Sequence, residues 1–270
     1  MNSRLSSLKL VNFAKSINFY QNRGTSIFNR PKRFYKSVTV SKDTDEENKF
    51  IVLLDKRKVK TLGQNVLKLP TEPLAEAIAH EFDSQLETLN MTNMRLTGLA
   101  FTAMDNPFHQ TKENIVDSIM EYAPTDTVLY ISTEPEKLYN KEKEYWLPVI
   151  DWVNKKFSVD FKPTETLFDL PEISPKTDGN LREYFNNFNF WQLTGYQYSV
   201  EALKSILLSV AATENAINIE KAVEASRVEQ IYQSHVWGNV EWCHDIEEME
   251  LACRLAAGKL FVNLSKGASQ

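Results

Sequence analysis

The chain has 270 residues, enough for one large domain or two small ones. Hydrophobic residues make up 42% and charged residues 25%, values that are typical of a globular protein and exclude a wholly disordered or collagen-like chain. The longest unbroken apolar run covers only residues 50–54, whereas a membrane-spanning helix needs about 18 or more apolar residues, so no membrane span is predicted. Two cysteines, Cys243 and Cys253, are too few for a disulfide scaffold or a cysteine-rich zinc module.

The net charge of −5 combines a basic N-terminal stretch with an acidic remainder. Nine lysines and arginines precede the first acidic residue, Asp43, and the rest of the chain holds 22 bases and 36 acids. A stretch that contains arginine and serine but no acids is typical of a mitochondrial targeting peptide. We therefore predict a targeting (transit) peptide over residues 1–32 and a location in the mitochondrial matrix. The alternative is a basic arm that binds nucleic acid, which the acidic remainder disfavours because it would repel phosphate.

Residues 33–71 are predicted to form a small β-rich N-terminal domain. Residues 34–40 alternate loosely, and the apolar run at 50–54 is followed by Asp55-Lys56-Arg57 and then by residues 59–62, a pattern that predicts a β-hairpin. Residues 66–69 read as a short last strand, which ends at Pro70.

Residues 72–270 are predicted to form a larger, mainly helical C-terminal domain, which makes the fold class α+β. Thr71 is expected to cap a helix whose apolar stripe contains Leu74, Ile78, Phe82 and Leu86. Further helices are expected over residues 94–104, 110–122, 134–157 (with a break or kink at Pro148), 199–211, 218–235 and 240–264. Residues 126–131 form the one later segment with strong strand character.

The last two predicted helices contain the most informative patterns. In the final helix, Trp242, Ile246, Met249, Cys253, Ala256 and Leu260 recur at intervals of three and four residues, which places them on one core-like face. In the preceding helix, Glu229 falls inside an arc that it shares with Ala222. A carboxylate inside an apolar arc is costly if it is buried alone, so Glu229 is expected to have a partner or to face a groove.

The sequence offers no motif for phosphate binding, metal binding or nucleophilic catalysis. The glycines do not form Gly-x-Gly-x-x-Gly, and Gly258-Lys259 is followed by Leu260 rather than by Ser or Thr. Cys243 and His244 are adjacent on a helix and point about 100° apart, so a zinc site is disfavoured, and no metal or cofactor is predicted. Paired carboxylates most often form solvated helix faces. A carboxylate-dependent matrix hydrolase or lyase is kept as the alternative function.

Aromatic residues concentrate in two places. Residues 184–198 contain seven of them, for which core packing is favoured over an exposed patch that receives another protein. Residues 237–242, Trp-Gly-Asn-Val-Glu-Trp, join the last two helices, and Gly238 is expected to end the first of these.

Together these segments resemble the mitochondrial ATP synthase assembly chaperone family known as ATP synthase assembly factor 2. The matching pieces follow one another in order through nearly the whole chain after residue 32. In one position the chain departs from the family, because Phe82 stands where the family usually has Trp, which keeps the apolar anchor but loses the indole N–H. The pieces are Arg33-Phe34-Tyr35-Lys36, Leu54-Asp55-x-Arg57-x-Val59-Lys60-Thr61, Leu69-Pro70, Leu74-Ala75, Glu81-Phe82-Asp83-Ser84-Gln85, Leu96-Thr97, Asp105-Asn106-Pro107, Thr125-Asp126-Thr127, Trp146-x-Pro148, Asp151-Trp152, Ser226-Arg227-Val228-Glu229 and Trp237-Gly238-Asn239-Val240-Glu241-Trp242-x-His244-Asp245.

The resemblance implies a non-enzymatic matrix chaperone with a small β-rich N-terminal part and a helical C-terminal part. Such proteins bind the unassembled alpha subunit of the ATP synthase catalytic head and keep it from aggregating until the beta subunit replaces them. An acidic residue in the family's penultimate helix is thought to matter, and it aligns with Glu229.

The predicted mechanism combines apolar contact with charge. Apolar and aromatic surface is expected to cover a subunit interface of the client, while carboxylates orient it through charge-assisted hydrogen bonds to a client arginine. No nucleic-acid partner is predicted, although an RNA-binding adaptor would be favoured by a basic face on the mature chain. The predicted partner-binding residues are Glu229, Glu241, Trp237, Trp242, Asp245 and Phe82.

Overall fold

The computed structural model describes residues 30–166, 170–238 and 243–267. A small antiparallel sheet is followed by a helical region that makes up the remainder, so the predicted α+β class is confirmed. The end of the predicted targeting peptide contacts the rest of the chain, since the backbone N–H of Leu89 donates to the carbonyl of Pro31 at 2.8 Å. The peptide's boundary at residue 32 and the domain boundary at residue 71 remain predictions.

The sheet is built around its second strand. β2 pairs with β1 on one side and with β3 and β4 on the other, and every pair is antiparallel. The predicted hairpin is confirmed and turns at Asp55, whose φ of 54° lies in the left-handed region. The strands are β1 (Val38–Lys42), β2 (Phe50–Leu54), β3 (Arg57–Lys58) and β4 (Lys68–Leu69).

Ten α-helices lie in the described part of the chain, and none of them is long and apolar enough to cross a membrane. Short 3-10 turns cover residues 91–93, 123–125 and 127–129. The helices are α1 (Glu72–Asp83), α2 (Arg95–Asp105), α3 (Lys112–Met120), α4 (Glu136–Phe157), α5 (Pro175–Asn186), α6 (Phe190–Leu203), α7 (Ile206–Thr213), α8 (Ile219–Ser226), α9 (Val228–Trp237) and α10 (Cys243–Leu264).

Helix α1 begins where the sequence predicts, but Thr71 has a different role. The Thr71 hydroxyl makes no capping bond and instead donates to the carbonyl of Leu264, at 2.5 Å, which ties the start of α1 to the end of α10. Leu74, Ile78 and Phe82 are buried as expected. Leu86 lies beyond the end of the helix and is 83% exposed, so its place in the apolar stripe was wrongly predicted.

The predicted strand at residues 126–131 is wrong. Asp126 is fully buried, and its carboxylate accepts hydrogen bonds from the backbone N–H groups of Val128, Ile206 and Leu207 at 3.2, 2.7 and 3.0 Å. These bonds favour a 3-10 turn at 127–129 and leave only Tyr130 in a bridge with Thr164. A carboxylate that binds helix-start N–H groups thus overrides the β-branched pattern.

Three helix boundaries also differ from the sequence prediction. Helix α4 runs through Pro148 without a break, so no new helix starts there. The predicted helix at 199–211 is divided at Lys204, which has a φ of 55°, and the next helix is capped by the Ser205 hydroxyl. The predicted helix at 218–235 is divided at Arg227, so Glu229 stands in the first turn of α9 and does not share a helix with Ala222. Gly238 ends α9 as predicted.

Two hydrophobic clusters form the core. The first joins the sheet to α1 and α2, and Ala257 and Phe261 of α10 extend it. The second contains most of the helical region. In the second cluster Phe185 and Tyr196 are fully buried with ring centroids 5.4 Å apart, which confirms that the aromatic span at 184–198 packs mainly into the core.

Helices α6 and α10 approach each other closely at two glycines. A Cβ placed on Gly258 would lie 2.9 Å from the carbonyl oxygen of Gly195 and 2.1 Å from the Ser199 hydroxyl. A Cβ on Gly195 would lie 2.9 Å from both the carbonyl oxygen of Gly258 and the side chain of Val262. Only glycine at both positions permits this approach, which fixes the side of α10 that faces the core.

Candidate functional site

The apolar stripe of the last helix faces outward. We call it the outer face of α10. In it Ile246 is 61%, Met249 69% and Leu260 45% exposed, and Cys253 is exposed as well. The prediction that this face belongs to the core is therefore wrong, because the glycine contact with α6 turns a different side of the helix inward. The members of the outer face are Ile246, Met249, Cys253, Ala256 and Leu260, and Trp242 lies outside the described residues.

Helix α10 is apolar on both sides. Leu255 and Phe261 are fully buried, and Val262 is 3% exposed. At about 100° per residue, the outer face occupies an arc of about 80°, and Leu255 and Val262 lie on the opposite side. A surface helix normally presents polar residues to water, whereas a helix with apolar residues on all sides is normally buried on all sides. The outer face is therefore a surface that another molecule is expected to cover.

Polar contacts tie α10 to the elements beside it. The guanidinium of Arg227, the residue before α9, donates to the Glu248 carboxylate at 2.6 Å, and Gln230 of α9 donates to Glu247 at 2.5 Å. Arg95 of α2 pairs with Glu250 at 2.5 Å. These contacts stabilise the orientation of α10 in which the outer face is exposed.

Two of the predicted partner-binding residues flank the connection between α9 and α10. Trp237, at the end of α9, is 77% exposed, and its neighbour Val236 is 52% exposed. Asp245 is exposed in the first turn of α10. Glu241 and Trp242 lie outside the described residues. Because five peptide links separate Gly238 from Cys243, the end of α9 and the start of α10 are within about 18 Å of each other.

Glu229 is exposed and lies between two grooves. It lines the first groove with two further carboxylates, those of Glu134 and Glu165. Beside them, the buried Glu142 carboxylate accepts hydrogen bonds from the backbone N–H and hydroxyl of Ser132, at 2.6 and 3.0 Å. Desolvation raises the pKa of Glu142, and the negative charge of Glu229 adds to this effect. The first groove therefore carries negative charge and favours a cationic partner on that side of Glu229.

Phe82 occupies a different region. Its side chain is 4% exposed and packs edge-on against Tyr35, with ring centroids 6.2 Å apart. The Tyr35 hydroxyl donates to the carbonyl of Phe82 at 2.7 Å. Phe82 also forms part of the floor of a groove beside the β2–β3 hairpin, whose rim includes the exposed side chains of Phe34 and Leu62. Its partner-binding role stays a prediction, and this position is far in sequence from Glu229 and Trp237.

The sequence of α10 contains a signal for its outer face. Leu251, Leu255 and Phe261 are apolar at positions outside the predicted core stripe, so the helix carries more apolar surface than one core-facing stripe requires. The pattern showed two apolar sides but not which of them is buried.

Three carboxyl groups with raised pKa values accept hydrogen bonds that stabilise the fold. Burial is the largest cause of the raised pKa values of Glu81, Asp126 and Glu142. Each of these carboxylates accepts hydrogen bonds from backbone N–H groups, as Glu81 does from Leu96 and Thr97 at 2.9 and 2.8 Å. Among the described residues, no three His, Cys, Asp or Glu side chains are grouped so that they could hold a metal ion.

Comparison with known proteins assigns the chain to a class. The family model described as "ATP12 chaperone protein" matches residues 32–154, and a relative of the same name matches 95% of the chain, so the protein is of the chaperone class. The chain belongs to the ATP12 chaperone family, the ATP synthase assembly chaperones that its sequence motifs resemble. Membership is shown by "Protein atp12, mitochondrial" of Schizosaccharomyces pombe, which is 30% identical over 95% of this chain and 91% of its own.

Two further relatives agree. "Protein ATP12, mitochondrial" of Saccharomyces cerevisiae is 22% identical over 82% of this chain and 80% of its own length. The crystal structure of Atp12 from Paracoccus denitrificans superposes with a TM-score of 0.78 at 28% identity, and the match covers 87% of this chain and 99% of the other. Both named eukaryotic relatives are mitochondrial, which supports a mitochondrial location for this chain.

Proposed function

We propose that this protein is a non-enzymatic assembly chaperone of the mitochondrial matrix that binds the unassembled alpha subunit of the ATP synthase catalytic head. It keeps the alpha subunit from aggregating and hands it to the beta subunit. Family membership supports a role in ATP synthase assembly, and the predicted targeting peptide over residues 1–32 supports the matrix.

The outer face of α10 is the observation that carries the proposal. An isolated subunit exposes the apolar surface that its neighbour covers after assembly. Ile246, Met249 and Leu260 offer a matching apolar strip, which the exposed Trp237 extends toward the end of α9. Aromatic side chains contribute strongly to protein interfaces because they bury a large area with few rotatable bonds. A strip of this kind fits reversible contact, as release to the beta subunit requires.

Glu229 orients the client in this contact. It is exposed beside Glu134 and Glu165, so an arginine of the client would gain charge-assisted hydrogen bonds in a negative environment. Glu241, Trp242 and Asp245 remain proposed contributors to the same surface, and Phe82 a supporting residue at a second position.

The first experiment tests the apolar strip. Purified protein is mixed with the denatured alpha subunit, and light scattering is followed on dilution and warming. Wild-type protein should suppress aggregation, whereas Met249→Lys with Leu260→Lys should lose most of this effect. The matched control, Asn48→Lys, adds a charge at an exposed position in the loop before β2. Equal suppression by the α10 variant, or none by the wild type, would contradict the proposal.

The second experiment tests Glu229. Glu229→Ala and Glu229→Lys should fold normally but lose co-purification with newly made alpha subunit from matrix extract. Glu220→Lys is the control because Glu220 is an exposed acid in the first turn of α8, just as Glu229 is in the first turn of α9. Unchanged capture by the Glu229 variants would reject its role.

A further inference from the structure

A groove in the N-terminal part of the chain has a volume of about 890 Å³ and runs beside the β2–β3 hairpin. We call it the hairpin groove. Its rim carries three large apolar side chains that are strongly exposed, Phe34 at 58%, Leu62 at 59% and Met91 at 41%. Its floor is formed by buried residues of the first core cluster, among them Phe82 and Phe101. An apolar groove whose rim side chains are exposed is typical of a protein-binding surface.

The charge of the hairpin groove is positive. Arg57, Lys58 and Lys60 line it, and no carboxylate is among its described lining residues. Lys58 is paired with Asp43 at 3.2 Å. Arg57 and Lys60 are exposed, and within the described ranges neither forms an ion pair. Two cations with no ion-pair partner in the described part of the chain thus lie on an apolar groove, although the net charge of the chain is −5.

We infer that the hairpin groove is a second docking site for the client, and that it takes an apolar segment of the alpha subunit that carries acidic side chains. The inference rests on the proposed function and adds to it the chemistry of a second contact. Charge complementarity selects this occupant, because carboxylates next to apolar anchors would pair with Arg57 and Lys60 while the anchors fill the groove.

The other occupants fit the groove less well. Residues 1–29 of this chain contain four bases and no acids, so Arg57 and Lys60 would repel them. A free anion would gain nothing from the apolar floor. The groove around Glu229 has the opposite charge, so a client that has an acidic apolar segment and a separate arginine would bind in one orientation only.

The test uses the full chain and fluorescein-labelled peptides of fifteen residues that overlap along the alpha subunit, with binding followed by fluorescence anisotropy. Peptides that combine apolar and acidic residues should bind. Arg57→Glu with Lys60→Glu should weaken their binding at least about tenfold. Lys42→Glu with Lys56→Glu is the control, since both lysines are exposed near the hairpin but do not line the groove. It should change binding less than twofold.

A second variant separates the apolar contribution from charge. Leu62→Ser with Met91→Ser should weaken the binding of the same peptides. Because both side chains are exposed, the melting temperature of this double variant should stay near that of the wild type. Capture of the full-length alpha subunit is measured in parallel. If the wild type captures the alpha subunit but the groove variants bind peptides normally, the inference is overturned and the proposed function stands.

Two further outcomes would also overturn the inference. If no peptide binds while the alpha subunit is captured, the hairpin groove has no role in recognition. If sedimentation shows a dimer that Arg57→Glu with Lys60→Glu dissociates, the occupant is a second copy of this chain. Failure of the wild type to capture the alpha subunit at all would instead reject the proposed function.

Discussion

Gly195 of α6 and Gly258 of α10 lie so close that neither position has room for a methyl group. Each Cβ, if present, would be 2.9 Å from the carbonyl oxygen of the opposite glycine. This contact sets the rotation of α10 about its axis. It places Leu255 in the core and leaves Met249 in solvent, so it also decides which apolar side of the helix is available to a partner.

Gly258→Ala is expected to destabilise the protein. The methyl group would force α6 and α10 apart, and overpacking of this kind costs about 1–3 kcal/mol, more than the gain of about 1 kcal/mol that alanine brings in helix propensity. Urea unfolding measures the change. The control is Gly179→Ala in α5, where nothing lies within 4 Å of the added Cβ, so that variant should be as stable as the wild type or slightly more stable. Equal effects at both positions would contradict the close-contact argument.

The two sides of α10 should respond differently to truncation. Leu255→Ala removes a fully buried side chain and should lower the free energy of unfolding by about 2–5 kcal/mol. Met249→Ala removes a side chain that is 69% exposed and should change it by less than about 0.5 kcal/mol. Thermal melting of both variants checks the orientation of the helix. A large loss of stability in Met249→Ala would mean that the outer face is part of the core.

Asp126 should make the protein more stable as the pH falls toward 4. Burial raises the pKa of Asp126 from 3.8 to about 6, so the folded state binds a proton in a range where the unfolded state does not. Stability from this group is therefore gained as the pH falls through about 6 and is lost as the pH rises through the same value. In Asp126→Asn this gain is absent, and the amide cannot accept all three backbone hydrogen bonds.

Other carboxyl groups have the opposite dependence on pH, so the useful quantity is the difference in stability between the two proteins. The pKa values of Asp43, Asp55 and Asp160 are lowered, so the stability that these groups contribute is lost as the pH falls below their ordinary pKa. The stability of the wild type minus that of Asp126→Asn cancels their contribution and should increase between pH 7 and pH 4. Urea unfolding at four pH values measures it, and a difference that is constant with pH would contradict the prediction.

Asp105 holds the turn that follows the hairpin. Its carboxylate accepts from the Thr61 hydroxyl at 2.6 Å, the Gly63 backbone N–H at 2.8 Å and the Asn65 amide at 3.1 Å. In Asp105→Asn the amide NH2 group would face these three hydrogen-bond donors. The substitution should lower the free energy of unfolding by about 1–3 kcal/mol. Hydrogen exchange at the Gly63 amide should accelerate. The control, Asp117→Asn, breaks an exposed ion pair with Arg182 and should cost less than about 1 kcal/mol. Unchanged exchange at Gly63 would show that the carboxylate does not hold the turn.

Some elements could be predicted because their causes are local. The hairpin at Asp55, the starts of α1 and α2, and the end of α9 at Gly238 each follow from turn residues or from apolar periodicity. Errors occurred where a distant group decides the outcome. Residues 126–131 have β-branched character, but the Asp126 carboxylate binds N–H groups about 80 residues further along the chain, which no local pattern reveals.

The candidate site, like the fold, could be predicted only in part. Motif resemblance singled out Glu229 and Trp237, and both are exposed, although their roles stay predictions. The outer face of α10 was visible as a stripe but was assigned to the core, and the hairpin groove was not foreseen. Its rim residues Phe34, Leu62 and Met91 come from three separate segments that only folding brings together.

The sequence by itself determined the α+β class, the family and the periodicity of the last helix, since these depend on residue order and local propensity. The tertiary structure decided which apolar surface stays exposed. Burial depends on which neighbour comes closest, and the contact between Gly195 and Gly258 selects one side of α10 for the core and leaves the other for a partner.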